Sequence, residues 1–396
     1  MFSSRQKWDL PANPLSLIRA EKRRTGTRIL DLTESNPTQA GFAYSPEILF
    51  ALTDPKALRY EPDPQGMRSA REAVSAYYAD RGVKVSPSQI LLTASTSEAY
   101  SYLFKLLADP GDEVLVPRPS YPLFEFLAGL ESVSVKQYPL RYDGAWHMDF
   151  AQLERSLTPK TRAVVVVNPN NPTGSFLKRA ECEQLTQLVA ARNLAILSDE
   201  VFADYGFGTD PERVRTLAGA PEALTFSMSG LSKIAGLPQM KLGWIVASGP
   251  RHQEALEKLE WIADTFLSVA SPVQAALPTL LRAAEPVQQQ IRDRTAANLD
   301  LLRTSTRDSP ANVLGVEGGW SAILQLPRTR SEEQWAEGLL RDRDVLVQPG
   351  FFYDFESEAF LVVSLLTEPA IFEEGVARML DYILAPPLQI STSPLT

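Results

Sequence analysis

Ser229-Gly230-Leu231-Ser232-Lys233-Ile234-Ala235-Gly236-Leu237-Pro238 follows directly on the apolar run Ala223-Leu224-Thr225-Phe226. An apolar run that ends in small residues reads as a buried strand leading into a tight turn, and this turn carries Lys233. A lysine held there is poorly placed to be a solvated surface charge and well placed to reach a carbonyl. Burial disfavours the ammonium form, and the neutral amine is the form that makes Schiff bases. Most lysines lie at the surface, so the reading of Lys233 depends on what surrounds it.

Around that stretch, short apolar runs alternate with helical patterns. Candidate strands are Ile90-Leu91-Leu92-Thr93, Glu113-Val114-Leu115-Val116, Ala163-Val164-Val165-Val166-Val167, Leu194-Ala195-Ile196-Leu197 and Lys241-Leu242-Gly243-Trp244-Ile245-Val246. Helix-like stretches, such as Ser97 to Leu107 and Ala180 to Arg192, lie between them. Continuous rather than alternating apolar strands predict a sheet covered on both faces, hence an α/β fold with a mostly parallel central sheet. After about residue 290 a long charged helix, Val287 to Arg307, leads into the strand Gly318-Gly319-Trp320-Ser321-Ala322-Ile323-Leu324 and a mixed tail. The expected division is an N-terminal arm with part of a small domain (1–45), a large cofactor-binding α/β domain (46–290), a smaller α+β C-terminal domain (291–385) and a frayed Pro/Ser/Thr-rich tail (386–396).

The chain of 396 residues has 48 acids against 39 bases, a net charge of −9 spread along its length. That argues against a nucleic-acid partner. The one basic cluster, Arg19, Lys22, Arg23, Arg24 and Arg28, reads as a solvated helix face. A single cysteine, Cys182, excludes an intrachain disulfide, and with only His147 and His252 beside it no zinc site is expected. No run is long and apolar enough to span a membrane, and the start lacks the apolar segment of a secretion signal. The expectation is a cytoplasmic globular protein.

Ligands of open parallel sheets bind beyond the carboxyl ends of the strands. Asp199 falls at such an end. Asn171 lies in the turn Asn168-Pro169-Asn170-Asn171-Pro172-Thr173-Gly174 after the valine run. Ser95, Thr96 and Ser97 open a helix after Leu91-Leu92-Thr93, offering hydroxyls and free N–H groups to a phosphate. Singly these are ordinary caps and turns. Together, an amine, a carboxylate and a phosphate seat meet the needs of pyridoxal phosphate: an amine for the aldehyde, an acid for the ring nitrogen and donors for the phosphate.

On the Asn-Pro-Thr-Gly turn, the Asp199-Glu200 pair and the Ser-Lys-x-x-Gly-Leu-Pro stretch, the chain resembles the fold-type I, aspartate-aminotransferase-like family of pyridoxal-phosphate enzymes, over roughly residues 30 to 385. The resemblance implies that Lys233 carries the cofactor as a Schiff base and that Asp199 partners the ring nitrogen. It makes Asn171 the donor to the phenolic oxygen, Tyr121 in Pro119-Ser120-Tyr121-Pro122 the aromatic lid, and Ser95, Thr96 and Ser97 the phosphate cup. Lys241 falls where members commonly have a phosphate-binding arginine. Tyr60 resembles the tyrosine that reaches into the neighbouring subunit's site, which implies a homodimer with shared active sites.

Four departures stand out. Phe202 occupies the place of a tyrosine that hydrogen-bonds the phenolic oxygen, with Tyr205 a mis-spaced substitute. Gly230 stands where a phosphate-binding serine is frequent, with Ser229 in position to cover for it. Lys241 keeps the arginine's charge without its bidentate fork. Val362, in Phe360-Leu361-Val362-Val363-Ser364-Leu365, stands where the arginine for the substrate carboxylate is expected. Such a charge-assisted contact contributes about 1.5–3 kcal/mol, which leaves Arg28 or another N-terminal arginine to supply it. Asn36 and Thr38 resemble the family's substrate-facing loop. Trp320 and Phe352 are candidates for lining an apolar pocket.

The leading function is therefore a pyridoxal-phosphate-dependent aminotransferase working on small-molecule amino and keto substrates. The alternatives are another reaction on the same scaffold, β- or γ-elimination or cyclisation, and a cofactor-binding relative without turnover.

Overall fold

The computed structural model describes residues 2, 3, 5 and 13–385; the tail expected at 386–396 lies outside them. At its centre is an eight-stranded sheet. In chain order the strands are β1 (Ile90–Thr93), β2 (Glu113–Arg118), β3 (Ser134–Tyr142), β4 (Trp146–Met148), β5 (Thr161–Val167), β6 (Ala195–Asp199), β7 (Thr225–Gly230) and β8 (Gly243–Ser248). In space they run β1-β8-β7-β6-β5-β2-β3-β4. The pairs from β7 through β3 are parallel, while β8 runs against both β1 and β7 and β4 runs against β3. The mixed α/β class with a mostly parallel sheet is the one expected.

The apolar runs are continuous because both faces are covered. On one face Leu91, Val114, Val165, Leu197, Phe226 and Ile245 pack with Leu103 and Leu259 of two helices. On the other, Trp244 and Val246 meet Val74 and Leu277, while Val164 and Ile196 meet Leu185 and Val189. The strand expected to start at Lys241 starts at Gly243. Lys241 itself turns the chain with a left-handed φ of 48°.

A smaller four-stranded sheet orders Asn312–Val313, Ser321–Gln325, Phe360–Ser364 and Gln348–Pro349, all antiparallel. Leu15, Leu30 and Leu32 from the N-terminal segment join its core, and Leu30–Asp31 pairs in parallel with Val345–Leu346. The 22-residue helix Glu285–Thr306 runs unbroken through the expected 290/291 boundary. Its Val287 and Ile291 pack beside Phe202 and Trp320, whereas Leu299 and Leu302 belong to the small-sheet core. Asn298 on this helix donates to the carbonyls of Leu365 (2.9 Å) and Thr367 (2.8 Å), just past the last strand.

Candidate active site

The carboxyl edge of the large sheet brings the singled-out residues together. Asp199 ends β6 opposite Val167 of β5 and Met228 of β7. Its Oδ2 accepts from the Tyr100 hydroxyl at 3.1 Å and its Oδ1 from the Val201 N–H at 3.3 Å. Burial outweighs both and pushes the carboxyl up to about 6, with Lys233 pulling the other way. Tyr100, whose phenol burial lifts well above its ordinary range, stays a donor. Glu200 faces elsewhere, into Ser198, Thr216 and the Leu217 N–H, and burial pushes it up to about 7.

Lys233 is the third residue of the single-turn helix Leu231–Ile234, which begins where β7 ends. Its Nζ lies 5.1 Å from the Trp320 ring centroid and 5.8 Å from that of Phe202. Among the described residues it has no hydrogen bond or ion pair. Burial lowers its pKa below the usual lysine range, and the Asp199 carboxylate opposes that shift. Neither Lys233 nor Asp199 is fully enclosed. A cavity of about 890 Å³ is lined by Arg81, Glu200, Asp204 and Arg213 among others, and by neither Lys233 nor Asp199.

Ser95 is the N-cap of helix Thr96–Leu107, its Oγ accepting the Glu98 N–H at 3.2 Å. The N–H groups of the first helical residues, Thr96 and Ser97, have no partner within the helix. Gly230 and Gly243 pair nearby, their backbones too close for side chains. A Cβ on Gly230 would lie 2.8 Å from the Gly243 Cα, and one on Gly243 would lie 3.2 Å from the Ser95 carbonyl carbon. No serine fits at 230. Ser229 does not cover for it: its buried hydroxyl turns to the Glu200 carbonyl at 3.5 Å. Lys241, in the turn two residues before β8, is exposed and has no ion pair among the described residues.

The turn after β5 is tied by Asn170, which accepts from the Thr173 hydroxyl and whose carbonyl takes the Gly174 N–H. Gly174 has φ +69°, and a Cβ there would sit 2.4 Å from the Gly318 carbonyl oxygen. Neighbouring Asn171 accepts from Ser321 Oγ at 3.3 Å through Oδ1, which leaves its amide N–H groups for another partner. Tyr121 is 51% exposed and Tyr60 70% exposed. Asn36 and Thr38 close on each other, with Asn36 Oδ1 accepting both the N–H and the hydroxyl of Thr38.

Other expectations need correction. Tyr205 does not replace the missing phenolic donor, because its hydroxyl is spent on the Lys233 carbonyl at 2.7 Å. Arg28 is no carboxylate clamp; it is exposed and paired with Glu374 at 3.0 Å. Val362 is 1% exposed, packed with Trp146, Ile323 and Phe360. The contribution of Tyr100 went unread: it lies 99 residues from Asp199 and no local pattern joins the two.

These residues fit pyridoxal phosphate. They offer an amine that has no hydrogen bond or ion pair among the described residues, the half-buried carboxylate of Asp199, open amide donors at Asn171, and a helix N-terminus capped by Ser95. Among the described residues no group of His, Cys, Asp or Glu is arranged to hold a metal ion, and no helix is long and apolar enough to cross a membrane.

Comparison with known proteins points the same way. The family model for aminotransferase class I and II matches residues 27–377. The glutamate-pyruvate aminotransferase AlaA of Haemophilus influenzae is 27% identical over 373 residues, 90% of this chain and 91% of its own. The alanine aminotransferase of Mycobacterium tuberculosis is 28% identical over 378 residues, 91% of this chain and 86% of its own. A crystal structure of an Escherichia coli aminotransferase aligns with a TM-score of 0.86 at 25% identity, covering 97% of this chain and 98% of that one. With the match spanning both sheets and the whole carboxyl edge, the chain belongs to the class I and II aminotransferases, pyridoxal-phosphate-dependent enzymes that transfer amino groups.

Proposed function

We propose that Lys233 is the amine on which the cofactor is held and that the enzyme works in two half-reactions, taking an amino group from one substrate and passing it to a keto acceptor. What supports this is the placement of the Lys233 amine: it faces the Trp320 and Phe202 rings, makes no hydrogen bond or ion pair among the described residues, and is held below the usual lysine range by burial, with the Asp199 carboxylate opposing that shift. Pyridoxal phosphate, when bound, supplies an aldehyde for the amine and a ring that withdraws electrons from the bonds beside it.

The chain's own groups divide the remaining work. Asp199, held by Tyr100, keeps a positive charge on the ring nitrogen. Ser95, Thr96, Ser97 and Lys241 hold the phosphate, Asn171 donates to the phenolic oxygen, and Tyr121 covers the ring. With its amine free, Lys233 would take the proton from the substrate carbon and return it to the carbon on the far side of the transferred nitrogen. Phe202 offers no hydrogen bond to this set. Ser229, buried in β7, gives its hydroxyl to the Glu200 carbonyl.

The names of the relatives favour small amino and keto acids. Val362, sealed in an apolar cluster, gives their carboxylate no cation in that strand, and this favours elimination or cyclisation as the second reading. Incubating the holoenzyme with an amino-acid panel and no keto acid separates the two. Conversion of one equivalent of cofactor to its aminated form is the expected result; steady release of ammonia and a keto acid would replace it with the second reading.

We also propose a homodimer in which Tyr60 crosses to the other subunit's site, in the reducing setting of the cytoplasm. In support, Leu49, Phe50, Leu58, Trp261 and Phe266 are each at least half exposed, an apolar surface that a second copy would cover. Sedimentation should give twice the 43.8 kDa chain mass, and a monomer at micromolar concentration would refute the shared site.

A further inference from the structure

The turn that carries Lys233 is held from three separate parts of the chain. The Tyr205 hydroxyl donates to the Lys233 carbonyl at 2.7 Å, Gln288 Nε2 to the Ile234 carbonyl at 2.8 Å, and the Tyr44 hydroxyl to the Gly236 carbonyl at 2.8 Å. The Lys233 carbonyl also takes the backbone N–H of Gly236 at 3.0 Å, closing the turn from within; side chains from the segment after β6, the helix Glu285–Thr306 and the N-terminal segment add the outside hold on this short helix and the residues after it.

Each clamp is itself fixed. Gln288 Oε1 accepts from Arg292 at 2.7 Å, and its Nε2 also reaches Asp204 Oδ2 at 2.9 Å. Asp204 is gripped by Arg81 at 2.8 and 2.7 Å. Tyr205 is buried, its ring centroid 5.1 Å from that of Trp320 and its carbonyl accepting the Gly319 N–H at 2.9 Å. The same Trp320 ring faces the Lys233 amine.

We infer that Tyr205 is a positioning residue for the reaction: its hydroxyl fixes the backbone of Lys233, with Gln288 and Tyr44 completing the hold, so that a long and flexible side chain starts from one defined point. Lysine carries rotamer entropy of about 2 kcal/mol, and an amine displaced by about 1 Å can lose on the order of 10²-fold in rate. If Tyr205 only filled space, phenylalanine would serve equally, since the ring contacts with Trp320 do not need the oxygen. The inference rests on Lys233 being the cofactor amine.

The experiment has two parts. Borohydride reduction of the cofactor-loaded parent protein, followed by peptide mass analysis, should place the cofactor on the Lys233 peptide. A label elsewhere sinks the proposed function and this inference with it. With the label in place, Tyr205→Phe is compared with the parent by kinetics and by pH titration of the visible spectrum. The proton affinity of the lysine nitrogen depends on its distance from Asp199 and the two rings, so a displaced amine changes the titration midpoint. The expected result is a kcat lower by about ten-fold with KM within about two-fold, and a shifted midpoint. A midpoint equal to the parent's overturns the inference, whatever happens to kcat or to thermal stability. Should Tyr205→Phe fail to fold, Gln288→Met removes the neighbouring clamp and is read by the same midpoint criterion.

Discussion

Lys233→Ala should leave a folded protein that binds pyridoxal phosphate only reversibly and transfers amino groups about 10⁴-fold more slowly than the parent. The loss has two parts. On the proposed reading, the amine that holds the cofactor goes, and so does the base that moves the substrate proton. Neighbouring groups cannot take over. Asp199 is committed to Tyr100 and the Val201 N–H, Phe202 and Trp320 carry no base, and Tyr205 is committed to the backbone. The fold should survive, because the lysine amine makes no hydrogen bond or ion pair among the described residues and its removal unpairs nothing. Single-turnover kinetics and borohydride trapping are the measurements. A variant that still traps cofactor covalently at this turn would end the assignment.

Asp199→Asn should lower kcat by about 10²–10³-fold, the usual effect of removing one fixed electrostatic partner from a reacting centre. The pH behaviour gives a second handle. Without cofactor, burial holds the Asp199 carboxyl at about 6, so it is largely neutral below that pH and ionised above it. A cationic ring nitrogen favours the ionised form. Binding therefore requires the carboxyl to give up its proton when the pH is below about 6, and affinity should fall as pH drops through that value, by up to ten-fold per unit. Asn cannot titrate, so the variant should bind weakly with that slope absent. Equilibrium titrations with pyridoxal phosphate between pH 5 and 8 decide the matter; the same slope in parent and variant would show that another group is responsible.

What could be read from the sequence was local. The apolar runs announced β1, β2, β5 and β6 because a strand buried on both faces needs continuous apolar residues. The lysine turn, Asp199 and the Asn-Pro-Thr-Gly turn were legible because each sits immediately after such a run. Errors arose where three-dimensional pairing decides. Ser229 looked interchangeable with Gly230, yet successive strand residues face opposite ways, and the close pairing of Gly230 with Gly243 forbids a side chain on the other face. Lys241 looked like strand and is a left-handed turn residue. Tyr205 looked like a misplaced phenolic donor, and the backbone of the lysine turn had already claimed its hydroxyl. Tyr100 and Gln288 carry no local signature, since both act across long separations in the chain.

The helix Glu285–Thr306 is pinned near its start by Gln288 to the lysine turn and farther along by Asn298 to the end of the last small-sheet strand. At about 1.5 Å per residue the two pins stand about 15 Å apart on one stiff rod. Such a rod behaves as a lever: it cannot swing with the smaller sheet at one pin without dragging the other. Any rocking of the smaller sheet would therefore be felt in the backbone of the lysine turn.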